Sequence, residues 1–154
     1  MSLPSQHKPR LMALDIGTKT CGIAVTDELG LITQPLTTLR YRGKPYMHKV
    51  LAELTDLIRQ YQPATLVIGL PYNMNGTEGP QAKMVREFVN ALKNHFKKNN
   101  INPQNYTWDF FDERCTSEEA DSFLLEHNVS RKKRKEVMDK LAAVFILKRY
   151  LEER

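Results

Sequence analysis

Three acidic positions in the sequence stand where side-chain oxygens from separate elements could meet. Asp15 ends a short apolar run, 11–14, Asp112 and Glu113 end an aromatic run, and Asp139 lies within the last amphipathic segment. Oxygen ligands that converge from separate elements suit a hard divalent cation such as Mg²⁺ or Mn²⁺. Two such ions, about 3.5–4 Å apart, activate water and stabilise the leaving oxygen in phosphodiester cleavage. The pattern therefore predicts metal-dependent phosphodiester hydrolysis.

Each of these carboxylates also has a structural alternative. Asp15 could cap the turn that follows it. The acidic pair at 112–113 could cap the next helix and interact with its dipole. Asp139 could form a salt bridge to Lys135 or Arg114. If these alternatives hold, the carboxylates are not needed for activity.

The position of Asp139 favours a functional role. On a helix, residues three, four, seven and eleven places further on share its face. Those residues are Ala142, Ala143, Ile146 and Tyr150. Because alanine is small, this face can approach a sheet closely and bring the carboxylate with it. An unpaired buried charge is costly, so the carboxylate needs a partner there.

The elements predicted to position these residues alternate between strands and helices. The runs 11–14 and 21–25 predict an antiparallel hairpin whose turn uses Gly17 at positive φ. Pro35 cannot donate to a sheet ladder, so a third extended segment, 31–39, is predicted at a sheet edge. The elements that follow are a helix over 44–61, a strand over 65–70, a helix over 81–97, a strand over 106–111, a helix over 116–127, a polar connector over 130–135 and a last helix over 136–152.

This succession of elements predicts a single α/β domain over 11–154, preceded by a disordered tail over 1–10. A strand–helix–strand connection is right-handed and places the fourth strand beside the first. The result is a five-stranded mixed sheet, its first three strands antiparallel, flanked by helices. The length of 154 residues suits one hydrophobic core. Trp108 lies inside a predicted strand and is interpreted as a core residue.

Composition limits the classes of function. Lysine and arginine number 23 against 18 acidic residues, and this modest excess permits a nucleic-acid partner without requiring one. No apolar run approaches the ~20 residues that span a bilayer, and the N-terminal segment lacks the apolar core of a secretory signal. Cys21 and Cys115 fit no metal-ligand spacing and are predicted to be free thiols. We expect a cytoplasmic protein with no membrane contact.

Positive charge is densest at 131–135, the run RKKRK. Together with Lys19 and Arg114 this run could contact phosphates, although it could equally be a solvated connector. The loop 71–80, PYNMNGTEGP, follows the carboxyl end of a predicted strand, where open α/β sheets bind ligands. Asn75 in this loop is therefore a further candidate for substrate contact.

Four blocks of the sequence together resemble one known family. The blocks are LDIGTKTCGIAVTD, VIGLPYNMNGTEGPQAKMV, FFDERCTSEEA and KEVMDKLAAVFILKRYL. In this order and spacing they are similar to the YqgF family, also called the RuvX or pre-16S rRNA nuclease family. That family belongs to the RNase H-like (RuvC-like) superfamily. The resemblance extends from Leu11 to Leu151 and implies an RNase H-like fold.

The resemblance also implies the roles of individual residues. The family's first-strand acid matches Asp15, and its acid in the C-terminal helix matches Asp139. RuvC-like resolvases carry an acid at the end of the fourth strand, where this chain has Gly69. We expect Glu113 to take its place as a metal ligand, with Asp112 as the alternative. Positions that match the family's substrate side are Lys19, Arg114, Thr116 and Lys135.

The function implied by this resemblance is metal-dependent processing of the 5′ end of the 16S rRNA precursor on a ribosomal particle. An alternative is resolution of Holliday junctions, and a further one is a non-catalytic RNA- or ribosome-binding module. The turn DIGT also resembles the phosphate loop of actin, hexokinase and Hsp70, but those proteins need two such domains. We expect two ions of Mg²⁺ or Mn²⁺ and a monomer or weak homodimer.

Overall fold

A five-stranded mixed sheet forms the centre of the computed structural model. The model describes residues 10–41, 47–113 and 130–154, with the side chains of 131 and 134–140 excepted. The strands are β1 (Leu11–Ile16), β2 (Thr20–Thr26), β3 (Thr33–Arg40), β4 (Thr65–Leu70) and β5 (Thr107–Asp112), arranged in the order β3-β2-β1-β4-β5. The described helices are α1 (Met47–Tyr61), α2 (Pro80–Lys98), a 3₁₀ turn (Pro103–Asn105) and α3 (Arg131–Glu153).

The pairing of the strands confirms the predicted sheet. β1 pairs with β2, and β2 with β3, in antiparallel fashion, whereas β4 is parallel to β1 and β5 is parallel to β4. β3 lies at an edge, as Pro35 predicts, and the register shifts between Ile23 and Ala24, where Pro35 pairs. A proline at an irregular edge position leaves no donor missing from the ladder.

The turn between β1 and β2 is closed differently from the prediction. Gly17 does not have positive φ; among the described glycines, Gly30 and Gly76 do. Instead, Gly17 N donates to Thr20 O at 2.8 Å, and a Cβ built on Gly17 would lie 3.3 Å from that oxygen. The close approach of the Thr20 backbone therefore explains why position 17 is a glycine. Tyr41 secures the turn, because its hydroxyl donates to Gly17 O and its N–H donates to Lys19 O.

The two faces of the sheet bury different helices. One face packs against α1 and α2 through large side chains such as Leu14, Ile68 and Phe88. The other face, which we call the α3 face, is lined by smaller residues and packs against α3. Its buried residues are Leu11, Ala13, Ala24, Val67, Ala143, Ile146 and Leu147. The alanines let α3 lie close to the sheet, as predicted for the last helix.

The start of α3 corrects the prediction of a polar connector over 130–135. The helix begins at Arg131, five residues before the predicted start, and Ser130 is its N-cap. The Ser130 hydroxyl accepts a hydrogen bond from Lys133 N. Arginine and lysine are good helix formers, so a capped basic run continues the helix toward its N-terminus.

Several predictions fall on residues outside those described. They include the tail over 1–9, the start of the first helix over 44–46 and the helix over 116–127. Arg10 is described, and its guanidinium lies 3.2 Å from Glu28 Oε1. Within the described ranges, no helix is both long and apolar enough to cross a membrane.

Candidate active site

Asp15 lies near the carboxyl end of the central strand β1, half-buried on the α3 face. Side chains alternate along a strand, so Asp15 shares this face with Leu11 and Ala13. Its partner across the ladder is Gly22, which has no side chain. The carboxylate therefore has no side chain of the paired β2 residue beside it.

Glu113 comes to the same place from the carboxyl end of β5. Its N–H donates to Leu70 O at 3.4 Å, which extends the β4–β5 ladder by one residue. Its side chain then turns to the α3 face, over Gly69. A Cβ built on Gly69 would lie 2.6 Å from Glu113 Oε2 and 2.6 Å from Ile146 Cδ1. The missing side chain of Gly69 therefore makes the space that the Glu113 carboxyl group fills.

The two carboxyl groups are in direct contact. Glu113 and Asp15 share a side-chain hydrogen bond, and the pKa of Glu113 is raised to about 8. Burial of Glu113 is the largest cause, followed by the charge of Asp15, the hydrogen bond with Asp15 and the charge of Asp112. The raised pKa favours the protonated form of Glu113 at neutral pH, and its carboxyl group then donates a hydrogen bond to the Asp15 carboxylate. Such a pair is typical of oxygen ligands gathered for a cation.

Asp112 lies apart from this pair. As the last residue of β5 it follows the alternation of Trp108 and Phe110, whose side chains pack on the face covered by α1 and α2. Its charge reaches Glu113 but raises the pKa of that group least among the causes. The structure thus brings Asp15 and Glu113 together and places Asp112 on the opposite face.

The remaining predicted residues are distributed around this edge of the sheet. Lys19 is exposed on the β1–β2 turn. Arg114 and Thr116 lie outside the described residues. Asp139 and Lys135 lie in α3 by their backbone, but their side chains are among those excepted. Within the described side chains, no cluster of three histidine, cysteine, aspartate or glutamate residues could hold a metal ion.

The loop after β4 holds its own conformation at the same edge. The Asn75 side-chain oxygen accepts hydrogen bonds from Thr77 N at 3.1 Å and from the Thr77 hydroxyl at 2.6 Å. Glu78 forms two hydrogen bonds with Arg86, whose guanidinium lies 4.6 Å from the centre of the Phe110 ring. Asn75 therefore shapes the loop with its oxygen, which leaves its amide N–H groups available to a substrate.

Two further residues support the site: Tyr41 was missed in the sequence analysis, and Gly69 was named there only as the position where RuvC-like resolvases carry an acid. Tyr41 fixes the turn beside Asp15, and burial followed by the charge of Cys21 raises its pKa to about 12. Gly69 makes the space for Glu113. A glycine inside an otherwise β-branched and leucine-rich strand is a visible signal of close approach. The contact that fixes Tyr41 joins residues 24 apart and leaves no local pattern.

Cys21 is buried beneath the site as a free thiol. Burial, with a smaller effect of the Asp15 charge, raises its pKa well above the ordinary range. A thiol in this state is a poor nucleophile, so Cys21 serves packing. Cys115 lies outside the described residues.

The pKa of Glu113 predicts a pH-dependent stability. Folding raises this pKa from 4.5 to about 8, so the folded state binds more protons than the unfolded chain between these values. The stabilisation from protonated Glu113 is complete below the unfolded pKa and is lost as pH rises through the folded one. We expect the free energy of unfolding of metal-free protein to fall across this window by a few kcal/mol relative to Glu113→Gln.

Urea denaturation in EDTA, at pH values spanning this window, measures the effect. Glu87→Gln is the matched control, because Glu87 is an exposed glutamate on α2. The control should follow the wild-type curve, whereas Glu113→Gln should show a flatter one. Parallel curves for wild type and Glu113→Gln would contradict the raised pKa.

The chain is similar to known proteins along nearly its whole length. A protein-family model described as "RuvX: Holliday junction resolvase" matches residues 9–153. A Moorella thermoacetica protein named "Putative pre-16S rRNA nuclease" is 44% identical over 143 residues, which cover 93% of this chain and 94% of that protein. A protein of the same name from Syntrophomonas wolfei is 43% identical, with 93% of this chain and 94% of that protein covered.

Solved structures show the same fold at low sequence identity. A T. thermophilus RuvC in complex with a Holliday junction substrate has a TM-score of 0.59 at 11% identity, covering 95% of this chain and 96% of that chain. A second RuvC structure, from Thermus thermophilus, has a TM-score of 0.51 at 12% identity and covers 89% of this chain and 92% of that one. The predicted RNase H-like, RuvC-like fold is therefore confirmed.

Proposed function

The chain belongs to the RuvX family, and from this premise we propose that it is a metal-dependent endonuclease that processes the 5′ end of the 16S rRNA precursor. It is a hydrolase of phosphodiester bonds, as its family membership indicates. We infer the substrate from the name that relatives 42–44% identical to this chain share. Its nucleic-acid partner would be the precursor RNA within a ribosomal particle.

One observation carries the catalytic assignment. Asp15 and Glu113 share a hydrogen bond on the α3 face, and Gly69 makes room for their contact. Burying two acidic groups in contact does not stabilise a fold, because each disfavours ionisation of the other. The pair therefore supports a functional role. Asp112, on the other face, is not needed in this assignment.

The donor set fits a divalent cation. Carboxylate oxygens from two neighbouring elements are the ligands that Mg²⁺ and Mn²⁺ prefer, and the absence of a Cβ at Gly69 lets the Glu113 carboxyl group lie beside Asp15. Asp15 and Glu113 would hold the ions, with Asp139 as the third ligand. When bound, a pair of such ions supplies an activated water and stabilises the leaving oxygen.

The direction of α3 supports Asp139 as the third acid. Ile146 lies against Gly69, and Tyr150 further along the helix donates to Asp109 Oδ2 at 2.8 Å, nearer the start of β5. The N-terminal half of α3 therefore runs toward the carboxyl ends of the strands. Position 139 lies four residues before Ala143, which is buried against the sheet. That spacing brings position 139 toward the Asp15–Glu113 pair.

Positive charge surrounds the same end of the sheet. α3 begins with RKKRK and has no acidic residue in its first turn, so its charges add to the partial positive charge of the helix N-terminus. Lys19 is exposed on the turn after Asp15. These cations would hold the substrate backbone near the carboxylates, with Lys135 and Arg114 as further candidates.

The chain's own groups then have defined tasks. Glu113 would release its proton to water when the site takes up cations, so that both acids would be ionised in the metal-bound enzyme. Lys19 and Arg114 offset the charge that develops on the phosphoryl oxygens. Asn75 and Thr116 orient the strand through hydrogen bonds to phosphate or sugar. Tyr41 keeps the turn that carries Lys19 in place.

Holliday junction resolution is the second candidate. The family model carries that description, and the RuvC in complex with a Holliday junction substrate shares the fold. Resolution requires two symmetric cuts, and therefore a two-fold dimer. We propose a monomer or weak homodimer, and a stable two-fold dimer in solution would instead favour the junction.

A two-substrate cleavage assay tests the proposal. Purified protein is incubated with Mg²⁺ or Mn²⁺ and either a labelled 16S rRNA 5′ leader or a labelled four-way DNA junction. We expect metal-dependent cleavage of the RNA that EDTA abolishes and that Asp139→Asn lowers by about 10²-fold or more. Asp56→Asn, an exposed position on α1, should cleave like wild type.

The other outcomes assign the other functions. Paired symmetric cuts in the junction, without cleavage of the RNA, would replace the proposal with a resolvase. If neither free substrate is cut, precursor ribosomal particles are offered next. Cleavage there that survives Asp139→Asn, or no cleavage at all, would favour the non-catalytic RNA-binding module.

A further inference from the structure

A cleft of about 500 Å³ lies far from the carboxylates, where α2 ends and β5 begins. Its volume is within the range of small-ligand sites. It is formed by the last turns of α2, the 3₁₀ turn and the first residues of β5. The residues that matter to its chemistry are Lys93, Lys97, Asn102, Gln104, Tyr106 and Trp108.

Trp108 gives the cleft an aromatic wall of fixed orientation. Its indole N–H donates to Pro103 O at 2.9 Å, and its ring packs 5.7 Å from Phe96 and 6.5 Å from Tyr106, measured between centroids. The side chain packs against the hydrophobic core, in line with the sequence analysis, but it is only half-buried. One part of the indole is anchored in the core while another lines the cleft.

The polar lining of the cleft is cationic. The Lys93 ammonium lies 5.0 Å from the centre of the Trp108 ring, and Lys97 lines the cleft one turn further along α2. Asn102 and Gln104 add amide groups, and among the residues that the structure describes no acidic one lines the cleft. Because lysine is long and flexible, the Lys93 ammonium can leave the indole for a nearby phosphate.

We propose that this cleft binds one nucleotide of a single-stranded nucleic acid outside the cleavage site. The base stacks on Trp108, Lys93 and Lys97 contact the flanking phosphates, and the amides contact base edges or sugar. Stacking on an aromatic ring beside cations is how proteins hold single strands without reading a fixed sequence. The inference rests on the proposed function, because it takes the strand in the cleft to be part of the substrate.

The geometry connects the cleft to the carboxylates. Trp108 and Glu113 are five residues apart on one strand direction, which is about 16 Å at 3.3 Å per residue. Roughly five stacked nucleotides, at about 3.4 Å each, cover that distance. Trp108 and Glu113 face opposite sides of the sheet, but β5 is the last strand in the described sheet order. A strand that joined the two would pass around the edge formed by β5 in the described sheet, along a path longer than this distance.

The sequence contains one tryptophan, so its fluorescence reports on this cleft alone. Protein in EDTA, where no cleavage occurs, is titrated with an octamer of adenosine ribonucleotides, and a matched deoxyribonucleotide octamer forms a second arm. We expect saturable quenching, weakened about tenfold at low salt in Lys93→Gln/Lys97→Gln. Lys83→Gln, an exposed lysine elsewhere on α2, should titrate like wild type.

The two octamers identify the kind of strand that binds. Stronger quenching by the RNA octamer assigns the cleft to RNA. Equal quenching means that the cleft contacts only base and phosphate and accepts either nucleic acid. Anisotropy of a labelled octamer, measured in parallel, shows whether it binds at all. Binding without quenching of Trp108, or quenching unaffected by the lysine substitutions, overturns the inference. Cleavage with Mg²⁺ is assayed separately, so loss of cleavage with quenching intact would overturn the proposed function alone.

Discussion

Replacing Asp15 by asparagine should lower the turnover of RNA cleavage by about 10³-fold, a loss typical of removing a principal catalytic group. Asparagine keeps the shape of the side chain but removes the negative charge. The substitution therefore tests the charge of the carboxylate and leaves its packing nearly unchanged. Single-turnover cleavage of the labelled RNA leader, with Asp56→Asn as the matched aspartate control, measures the effect.

The same variant separates catalysis from a structural role. If Asp15 acted mainly as a turn cap, its replacement would cost about 0.5–2 kcal/mol of stability. In the structure, the charge of Asp15 and its hydrogen bond both raise the pKa of Glu113. Removing the negative charge of Asp15 removes its repulsion of ionised Glu113. The free energy of unfolding in EDTA near pH 8 should therefore not fall. A variant that is less stable but fully active would contradict the assignment.

The sheet could be predicted from the sequence because its signals are local. Alternating residues define the first hairpin, an apolar run defines β4, and Pro35 marks the edge strand. The burial of each run then follows from its place in the sheet order. The predicted ends differ from the observed ones by one or two residues at most strands, since hydrogen bonding continues past the last apolar side chain.

The choice between Asp112 and Glu113 shows where local signals end. The choice depends on whether the odd-numbered or the even-numbered residues of β5 face α3. The aromatic run before the two acids does not alternate between apolar and polar residues, so it does not show which set does. Phe110 packs on one face of the sheet and Phe111 on the other. Only the three-dimensional structure, in which the Glu113 carboxyl group lies over Gly69 and shares a hydrogen bond with Asp15, identifies the acid of the site.

The predicted start of α3 was wrong because local sequence signals did not reveal how the helix packs on the sheet. A run of five basic residues is usual in solvated connectors, and their repulsion opposes a helix N-terminus. Ser130 caps the helix all the same, and the apolar residues from Leu141 onward anchor it to the sheet. A helix held by its packing can carry an unfavourable charge at one end, which is consistent with a polyanionic partner there.

Gly69→Ala should lower cleavage about 10²-fold while costing only about 1 kcal/mol of stability. The added Cβ would lie 2.6 Å from both Glu113 Oε2 and Ile146 Cδ1, closer than Cβ atoms normally approach other atoms. Both atoms are the ends of flexible side chains, so they can move without disturbing the backbone. The fold tolerates that movement, but the Glu113 carboxyl group leaves its place beside Asp15.

A second substitution resolves the two clashes. Ile146→Val removes the Cδ1 atom and so relieves the apolar contact with the new Cβ, but it leaves the carboxyl contact as it was. In Gly69→Ala/Ile146→Val, urea denaturation should show stability close to that of Ile146→Val alone, while cleavage stays about as low as in Gly69→Ala. Recovery of cleavage together with stability would mean that Gly69 serves packing against α3 and that the position of Glu113 does not govern activity. Persistent loss of cleavage in a restored fold would mean that the fourth-strand glycine exists to admit the acid from β5.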